Sequence, residues 1–420
     1  MQSRLEGHTQ RTPAAPPPGR SAPRRVAASF FAAQLATGAG ALVVNVLSAR
    51  TLGPEGRGQI ALYLQVGVIA GVALLAGVDR SYPAIVVSNP TLGTALRDLR
   101  RLMRPGLIAC VGGCSLVALW LASQGSAEAL PTALTALLAA GSALGSVVRS
   151  AAAASGVSRS FLIATVSGQG ALAFLSVIFL AAGIGAPTVW LIAYGLCLLV
   201  PFLVAGRPDR DAAPNSLGET RRVGLRLSLS MVAGMVMLRS DRLLLPALAG
   251  YGQLGIYGTI ATITEMISLP VQAYVDSHVP AWRRAHDAGK LNRWRPLAAV
   301  VAFSLSTAAA VTLVVRALVV PALGEQYRSA IPLVLPLAIA AALYAVSRAG
   351  VGLAVASGKT RAVVAVDMTA MTTSVAGYLI LIPDHGAAGA AIGSIVGYGI
   401  AALIATAVAL AASRTDGGGS

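Results

Sequence analysis

Leu238-Arg239-Ser240-Asp241-Arg242-Leu243-Leu244-Leu245-Pro246, followed nineteen residues later by Glu265-Met266-Ile267-Ser268-Leu269-Pro270, decides how this chain folds. Both segments lie inside the stretch Arg222–Pro280, which reads as an apolar hairpin turning at Gly250-Tyr251-Gly252-Gln253. Each limb is long enough to cross a bilayer, yet Arg239, Asp241 and Arg242 lie deep in the first, and Glu265, Gln272 and Asp276 follow in the second. An ionisable side chain at mid-bilayer costs roughly 2.5–3.5 kcal/mol on insertion scales, so it turns towards a bundle interior or a wet cavity. The rest of the chain is then expected to build that cavity.

Composition sets the class. Of the 420 residues 55% are hydrophobic and 11% charged, less than half the charged share of about 25% usual in soluble domains. A polytopic membrane protein follows. The net charge of +16 does not indicate nucleic acid, because the basic residues sit in short turns between apolar runs and form no continuous face. Cys110, Cys114 and Cys197 all fall within apolar runs and read as small hydrophobes. His8, His278, His286 and His385 are scattered, so no metal site or other cofactor is expected.

A hydrocarbon core of about 30 Å takes about 20 apolar residues per helix. Twelve spans are expected on that measure: 26–48, 58–78, 105–123, 130–148, 160–182, 187–206, 223–248, 254–279, 297–320, 330–356, 361–382 and 386–412. Backbone groups in lipid have to be satisfied within the segment, so the spans are helices and the class is all-α. Residues 1–25 read as a disordered cytoplasmic tail, and a cleavable signal peptide is not expected. Residues 26–206 form a first six-helix bundle, 207–222 a cytoplasmic linker, 223–412 a second bundle and 413–420 a short tail. Placing the N-terminus inside puts 24 of the 32 Lys and Arg on the cytoplasmic side and three (Arg50, Arg57, Arg328) outside. By the positive-inside rule both termini are cytoplasmic. Outer loops are short and leave no room for an extracellular domain.

Gly53 and Gly58 recur as Gly250 and Gly255 at a constant offset of 197 residues, each pair in a short outer turn. The recurrence supports a six-plus-six repeat with a pseudo-two-fold axis along the membrane normal.

Four stretches, in this order, resemble one family. Leu47-Ser48-Ala49-Arg50-Thr51-Leu52-Gly53-Pro54-Glu55-Gly56-Arg57-Gly58 is similar to the first-hairpin signature of polysaccharide and lipid-linked oligosaccharide flippases. Asp241-Arg242-Leu243-Leu244-Leu245, leading into Gly255-Ile256-Tyr257, resembles their seventh helix and following turn. Gly350-Val351-Gly352 with Gly358-Lys359-Thr360-Arg361 is similar to their turn between helices ten and eleven. Ile382-Pro383-Asp384-His385-Gly386-Ala387-Ala388-Gly389-Ala390-Ala391-Ile392 resembles the start of their last helix. The resemblance implies the superfamily that also holds multidrug and toxin extruders: two six-helix bundles facing each other across a cavity and alternating between inward-open and outward-open. It further implies a polyprenyl-diphosphate-linked saccharide as substrate, membrane lipids as surroundings, and glycosyltransferases or a glycan polymerase as partners. A cation-coupled drug extruder is the alternative, which low aromatic content and a basic mid-span balance count against. A glycosyltransferase or polymer ligase would call for a sizeable outer loop.

Arginine suits such a headgroup, because its planar fork donates bidentately to phosphate and stays charged. Arg239 and Glu265 lie at similar depth, eleven and fifteen residues from the turn at Gly250, and are expected to meet. They are cavity candidates together with Asp241 and Arg242; the alternatives are a structural ion pair stapling the two helices, or Arg239 with Asp241 and Arg242 as a self-neutralising cluster. Arg348 and Asp367 flank the turn at Gly358 and are expected to pair, with cavity lining as their other role. Asn45, Gln34 and Gln65 are candidates for sugar hydroxyls, set against the commoner helix–helix hydrogen bond. Glu265 or Asp276 would carry a proton or sodium if transport is ion-coupled. Arg316 and Arg226 are expected to snorkel, and Arg97, Arg100, Arg101 and Arg104 to meet lipid headgroups. Pro246, Pro270 and Pro336 are expected to kink their helices. Gly38, Gly40, Gly67, Gly71, Gly112, Gly113, Gly393 and Gly397 are expected to let helices pack closely.

Overall fold

The computed structural model describes residues 22–85, 90–206 and 217–411. Most of the expected N-terminal tail, most of the 207–222 linker and the 413–420 tail lie outside the described residues. Among the described residues the regular structure is helical throughout. Nine helices are long and apolar enough to cross a membrane. Two of them are each two spans fused end to end. α1 (Ala22–Leu75) breaks at Gly53, with φ 67° and ψ −179°, and α12 (Thr360–Ala411) breaks at Gly386, with φ 54° and ψ −129°. α7 (Leu217–Ala249) makes the twelfth crossing.

The first half comprises α1, the short α2 (Val78–Ile85), α3 (Leu92–Ser123), α4 (Ala129–Ser155), α5 (Ser158–Ala181) and α6 (Pro187–Val204). The second comprises α7, α8 (Tyr251–Thr264), α9 (Ser268–Asp287), α10 (Trp294–Leu323), α11 (Val334–Ala356) and α12. α8 and α9 form one crossing, joined by a 3₁₀ turn at Glu265–Ile267. Pro270 accounts for that turn: it has no N–H for the Met266 carbonyl, so the helix tightens just before it. A second 3₁₀ segment, Glu325–Leu333, precedes α11.

The paired glycines work as a unit. Gly250 has φ 88° and ψ 167°, close to the conformation of Gly53, and both permit a reversal that a Cβ would strain. Beyond them the helices touch backbone to backbone. A Cβ on Gly58 would stand 1.8 Å from the Tyr251 carbonyl oxygen, and one on Gly255 would stand 1.8 Å from that of Pro54. Pro54 and Tyr251 are themselves 197 residues apart, so the contact is reciprocal, as a two-fold axis through the crossing requires. The halves also meet where α2 lies on α7: a Cβ on Gly77 would reach 2.3 Å from the Gly224 carbonyl, and Ser81 Oγ donates to the Thr220 carbonyl at 2.8 Å.

Several expectations need correction. No loop separates the first two spans, only the break at Gly53, so Arg57 is helical and buried rather than in an outer turn. α3 begins thirteen residues before its expected start, so Arg97 is buried beside Asp98, which is fully enclosed. The remaining Arg100, Arg101 and Arg104 are exposed. Pro336 is the third residue of α11, directly after the 3₁₀ segment Glu325–Leu333, the place that Pro270 takes in α9. Gly112 and Gly113 have open space where a Cβ would stand; their α3 instead bares Ile108, Leu116, Leu119 and Trp120, as a lipid-facing helix does. Gly67 does pack closely, 2.6 Å from Leu138, and Gly397 meets Ser374. Arg226 and Arg316 are exposed.

Candidate functional site

A cavity of about 420 Å³ lies between α1, α7, the α8–α9 crossing, α11 and α12. The first half contributes only Gln34, Thr37, Gly38 and Ala41, all on α1. The second half supplies every ionisable group: Arg239, Asp241, Arg242 and Glu265.

The charges are organised around the 3₁₀ turn. Glu265 is its first residue, so the break in the helix aims its carboxylate across at α7. Arg239 Nη1 donates to both oxygens, at 3.2 Å to Oε1 and 3.1 Å to Oε2. Arg242 Nη2 donates to Oε1. Residues three apart on a helix share a face, which is why Arg239 and Arg242 converge on one carboxylate. The side chains remain partly accessible, 25% for Arg239, 11% for Arg242 and 37% for Glu265, so the cluster lines the cavity and is not sealed.

Asp241 plays a different part. It is 3% exposed and faces tyrosine, not guanidinium: Tyr257 Oη donates to its Oδ2 at 2.6 Å, and the Arg242 backbone N–H donates to Oδ1 at 2.8 Å. Tyr257 Oη also lies 3.2 Å from Ser394 Oγ, which is 2.9 Å from Tyr378 Oη. This hydroxyl chain ties α7, α8 and both limbs of α12 behind the cavity wall. The lining thus holds two guanidiniums and two carboxylates, with Asp241 the carboxylate set back from the open space and Glu265 the one that faces it.

Of the other sequence candidates, Gln34 lines the cavity. Asn45 does not: it is buried, accepts from Arg57 Nε at 3.2 Å and Nη2 at 2.7 Å, and donates to the Thr259 carbonyl at 3.0 Å. Gln65 is buried away from the cavity. Asp276 is exposed on α9, about one turn past Gln272, the last residue of that helix on the cavity wall. Arg348 and Asp367 are half-buried and within electrostatic reach of each other, but do not line the cavity. No contact at ion-pair distance joins them among the described residues, so the expected pair is looser than depth alone implied.

Sequence reasoning missed the aromatic wall. Tyr344 and Tyr398 pack with ring centroids 5.4 Å apart and line the cavity with Tyr257. They come from α11, α12 and α8, so no local spacing could bring them together. Gln272, which lies on the cavity side of α9 and donates to Ser268 Oγ at 3.0 Å, is legible from its four-residue spacing.

Solved structures share this architecture. The chain is similar to a multidrug resistance MATE family transporter of the MOP superfamily in an inward-facing conformation. The TM-score is 0.67 at 15% identity, covering 91% of this chain and 96% of that one. An outward-facing conformation of such a transporter matches with TM-score 0.59 at 16% identity, covering 94% and 96%. No family model matches the sequence, and no curated protein matches it either. At this identity the likeness establishes the fold: an all-α, multi-pass membrane protein with the two-bundle architecture of the MATE transporters. A further match is a MOP superfamily transporter from Pyrococcus furiosus, TM-score 0.54 at 16% identity over 94% and 96%. For that protein a binding pocket of reversed polarity suggests a different function.

Proposed function

We propose that this protein is an alternating-access transporter that carries a polyprenyl-diphosphate-linked saccharide across the cytoplasmic membrane, with both termini inside. The observation that carries the reading is the pair of partly exposed guanidiniums, Arg239 and Arg242, sharing the single carboxylate of Glu265 on the cavity wall. The second carboxylate of the lining, Asp241, is buried and engaged by Tyr257, and Arg242 Nε has no hydrogen-bond partner among the described residues, so the guanidiniums keep donors to offer a ligand. A diphosphate would meet them with charge-assisted, bidentate hydrogen bonds. Tyrosine and amide groups around it, notably Tyr344, Tyr398 and Gln34, suit sugar hydroxyls.

Alternating access requires the halves to part at the crossing of Gly58 and Gly255, on the side taken here as outer. The glycines there meet backbone to backbone, and parting also has to open the apolar cluster in which Ala49 of α1 packs with Leu254, Tyr257 and Ile260 of α8. Ion coupling, if present, runs through Glu265, because protonating it would free both arginines at once. Asp276, exposed and remote, is the weaker carrier.

A cation-coupled drug extruder is the second reading, and the tyrosine wall favours it, since aromatic faces attract organic cations. Low aromatic content in the chain as a whole does not carry over to the cavity. The two accessible guanidiniums, with one carboxylate set back from the space, still favour an anion, and polarity of the pocket is the feature that sets the Pyrococcus furiosus transporter apart within the shared fold.

The test is transport of a fluorescent prenyl diphosphate by the full chain in proteoliposomes. Replacing Arg239 and Arg242 together with Ala is expected to abolish it while the protein stays inserted and folded. Undiminished transport by the double variant would remove the headgroup assignment.

A further inference from the structure

Arg57 is buried in the closed crossing between the halves, and no carboxylate lies within ion-pair distance of it among the described residues. Its Nε and Nη2 both donate to Asn45 Oδ1, while Nη1 is enclosed and has no acceptor. Two buried hydroxyls, Thr259 Oγ1 and Tyr327 Oη, lie within reach of each other and have no further partner among the described residues. Tyr327, from the 3₁₀ segment before α11, and Tyr194, from α6, are both within electrostatic reach of Arg57. The cluster thus draws on both halves and lies at the seam.

A staple across the break in α1 would not need a charge. Burying a cation without a counter-ion costs several kcal/mol even after relaxation, and a neutral amide would tie α1 to Asn45 without that penalty. The unmet capacity therefore points to a ligand absent while the seam is shut. Position narrows the choice. Asn45 is four residues along α1 from Ala41, the cavity's last residue on that helix, and on α8 Thr259 stands between the lining residues Tyr257 and Ala261. At 1.5 Å per residue, the cluster begins about 6 Å beyond the cavity along α1 and borders it along α8, on the side of the Gly58–Gly255 contact.

We propose that Arg57 is a second anion-binding position, which takes the diphosphate from Arg239 and Arg242 when the seam opens. Asn45, Thr259 and Tyr327 are exposed by the same movement and supply further hydrogen bonds. The inference rests on the function proposed above and adds where the headgroup sits before release.

The test uses the full chain in nanodiscs, with inorganic pyrophosphate and farnesyl diphosphate as separate probes. Gly255→Val serves as a wedge, because a Cβ there would lie 1.8 Å from the Pro54 carbonyl oxygen and hold the seam apart. In the wedged protein, Arg57→Gln is expected to weaken diphosphate binding about tenfold, the loss of one charge-assisted hydrogen bond, and Arg57→Lys to recover most of it. Binding by the wedged Arg57→Gln protein within twofold of its wedged parent would overturn the proposal. A loss confined to farnesyl diphosphate assigns the site to a lipid-borne head, and one confined to pyrophosphate to the free anion. If the wedge does not fold, turnover of the prenyl diphosphate in proteoliposomes replaces it: Arg57→Gln should lower kcat about tenfold with KM little changed. An unchanged kcat, or Arg57→Lys as slow as Arg57→Gln, would overturn it. The Arg239→Gln, Arg242→Gln double variant separates the two proposals. If it binds diphosphate as its parent does, the cavity reading fails; if it does not bind while Arg57→Gln is silent, only the seam site falls.

Discussion

Replacing Glu265 with Gln is the change that discriminates best between an anionic and a cationic cargo. The variant keeps the shape of the side chain and one oxygen to accept from Arg239 and Arg242, whose donors lie 3.1–3.2 Å away in the case of Arg239. What it removes is one of the two negative charges on a lining that holds two positive ones, and the one that faces the open space. For an anion seated about 6 Å from Glu265, an effective dielectric of about 20 sets the repulsion at about 3 kcal/mol per unit charge. The Glu265 side chain is 37% exposed, so water screens that figure to ~1.4 kcal/mol, which corresponds to about tenfold in affinity. Glu265→Gln is therefore expected to bind farnesyl diphosphate about tenfold more tightly and an organic cation such as tetraphenylphosphonium about tenfold more weakly. Both are measurable by fluorescence quenching on the purified protein. Transport of the diphosphate should slow even as binding tightens, because release is retarded. Weaker diphosphate binding with stronger or unchanged cation binding would refute the charge argument and favour the drug-extruder reading.

Two further changes test the supports behind the site. Tyr257→Phe leaves Asp241 Oδ2 without its 2.6 Å donor; a buried acceptor so abandoned costs about 1–3 kcal/mol, and a lower melting temperature in detergent is the expected outcome. No loss of stability would mean that the hydroxyl chain is not what holds Asp241. Asp98→Ala leaves Arg97 buried without the carboxylate that now lies 3.2 Å away, and breaking a buried pair in this way costs about 3–5 kcal/mol. The protein should express poorly or melt early, whereas Arg100→Ala, exposed on the same helix, should be neutral.

Much of this was legible before any coordinates. Span number follows from bilayer thickness and apolar run length, and those act locally along the chain. The meeting of Arg239 with Glu265 was readable because a helical hairpin converts distance from its turn into depth. Gly53, Gly58, Gly250 and Gly255 could be matched because a repeated contact leaves a repeated sequence at constant offset. Arg57 was misplaced for the complementary reason. Its segment looked like an outer turn, and only the single-residue break at Gly53 folds it back against Asn45 under α8. Arg97 looked solvated because nothing local says that α3 starts early and buries it with Asp98, to which Tyr82 donates. Asn45 and Gln65 carried amides suited to sugars, but helix rotation turned both away from the cavity.

The amino-acid order by itself determined an all-helical membrane protein of twelve crossings, its repeat, and the charged face of α7 with its acidic partner. Tertiary structure alone decided which of those charges face open space, gathered Tyr257, Tyr344 and Tyr398 from three separate helices, and sealed a lone guanidinium into the seam. The division has a physical cause. Periodicity and transfer free energy are properties of neighbouring residues, whereas a cavity is made by the mutual rotation of helices that the chain visits hundreds of residues apart.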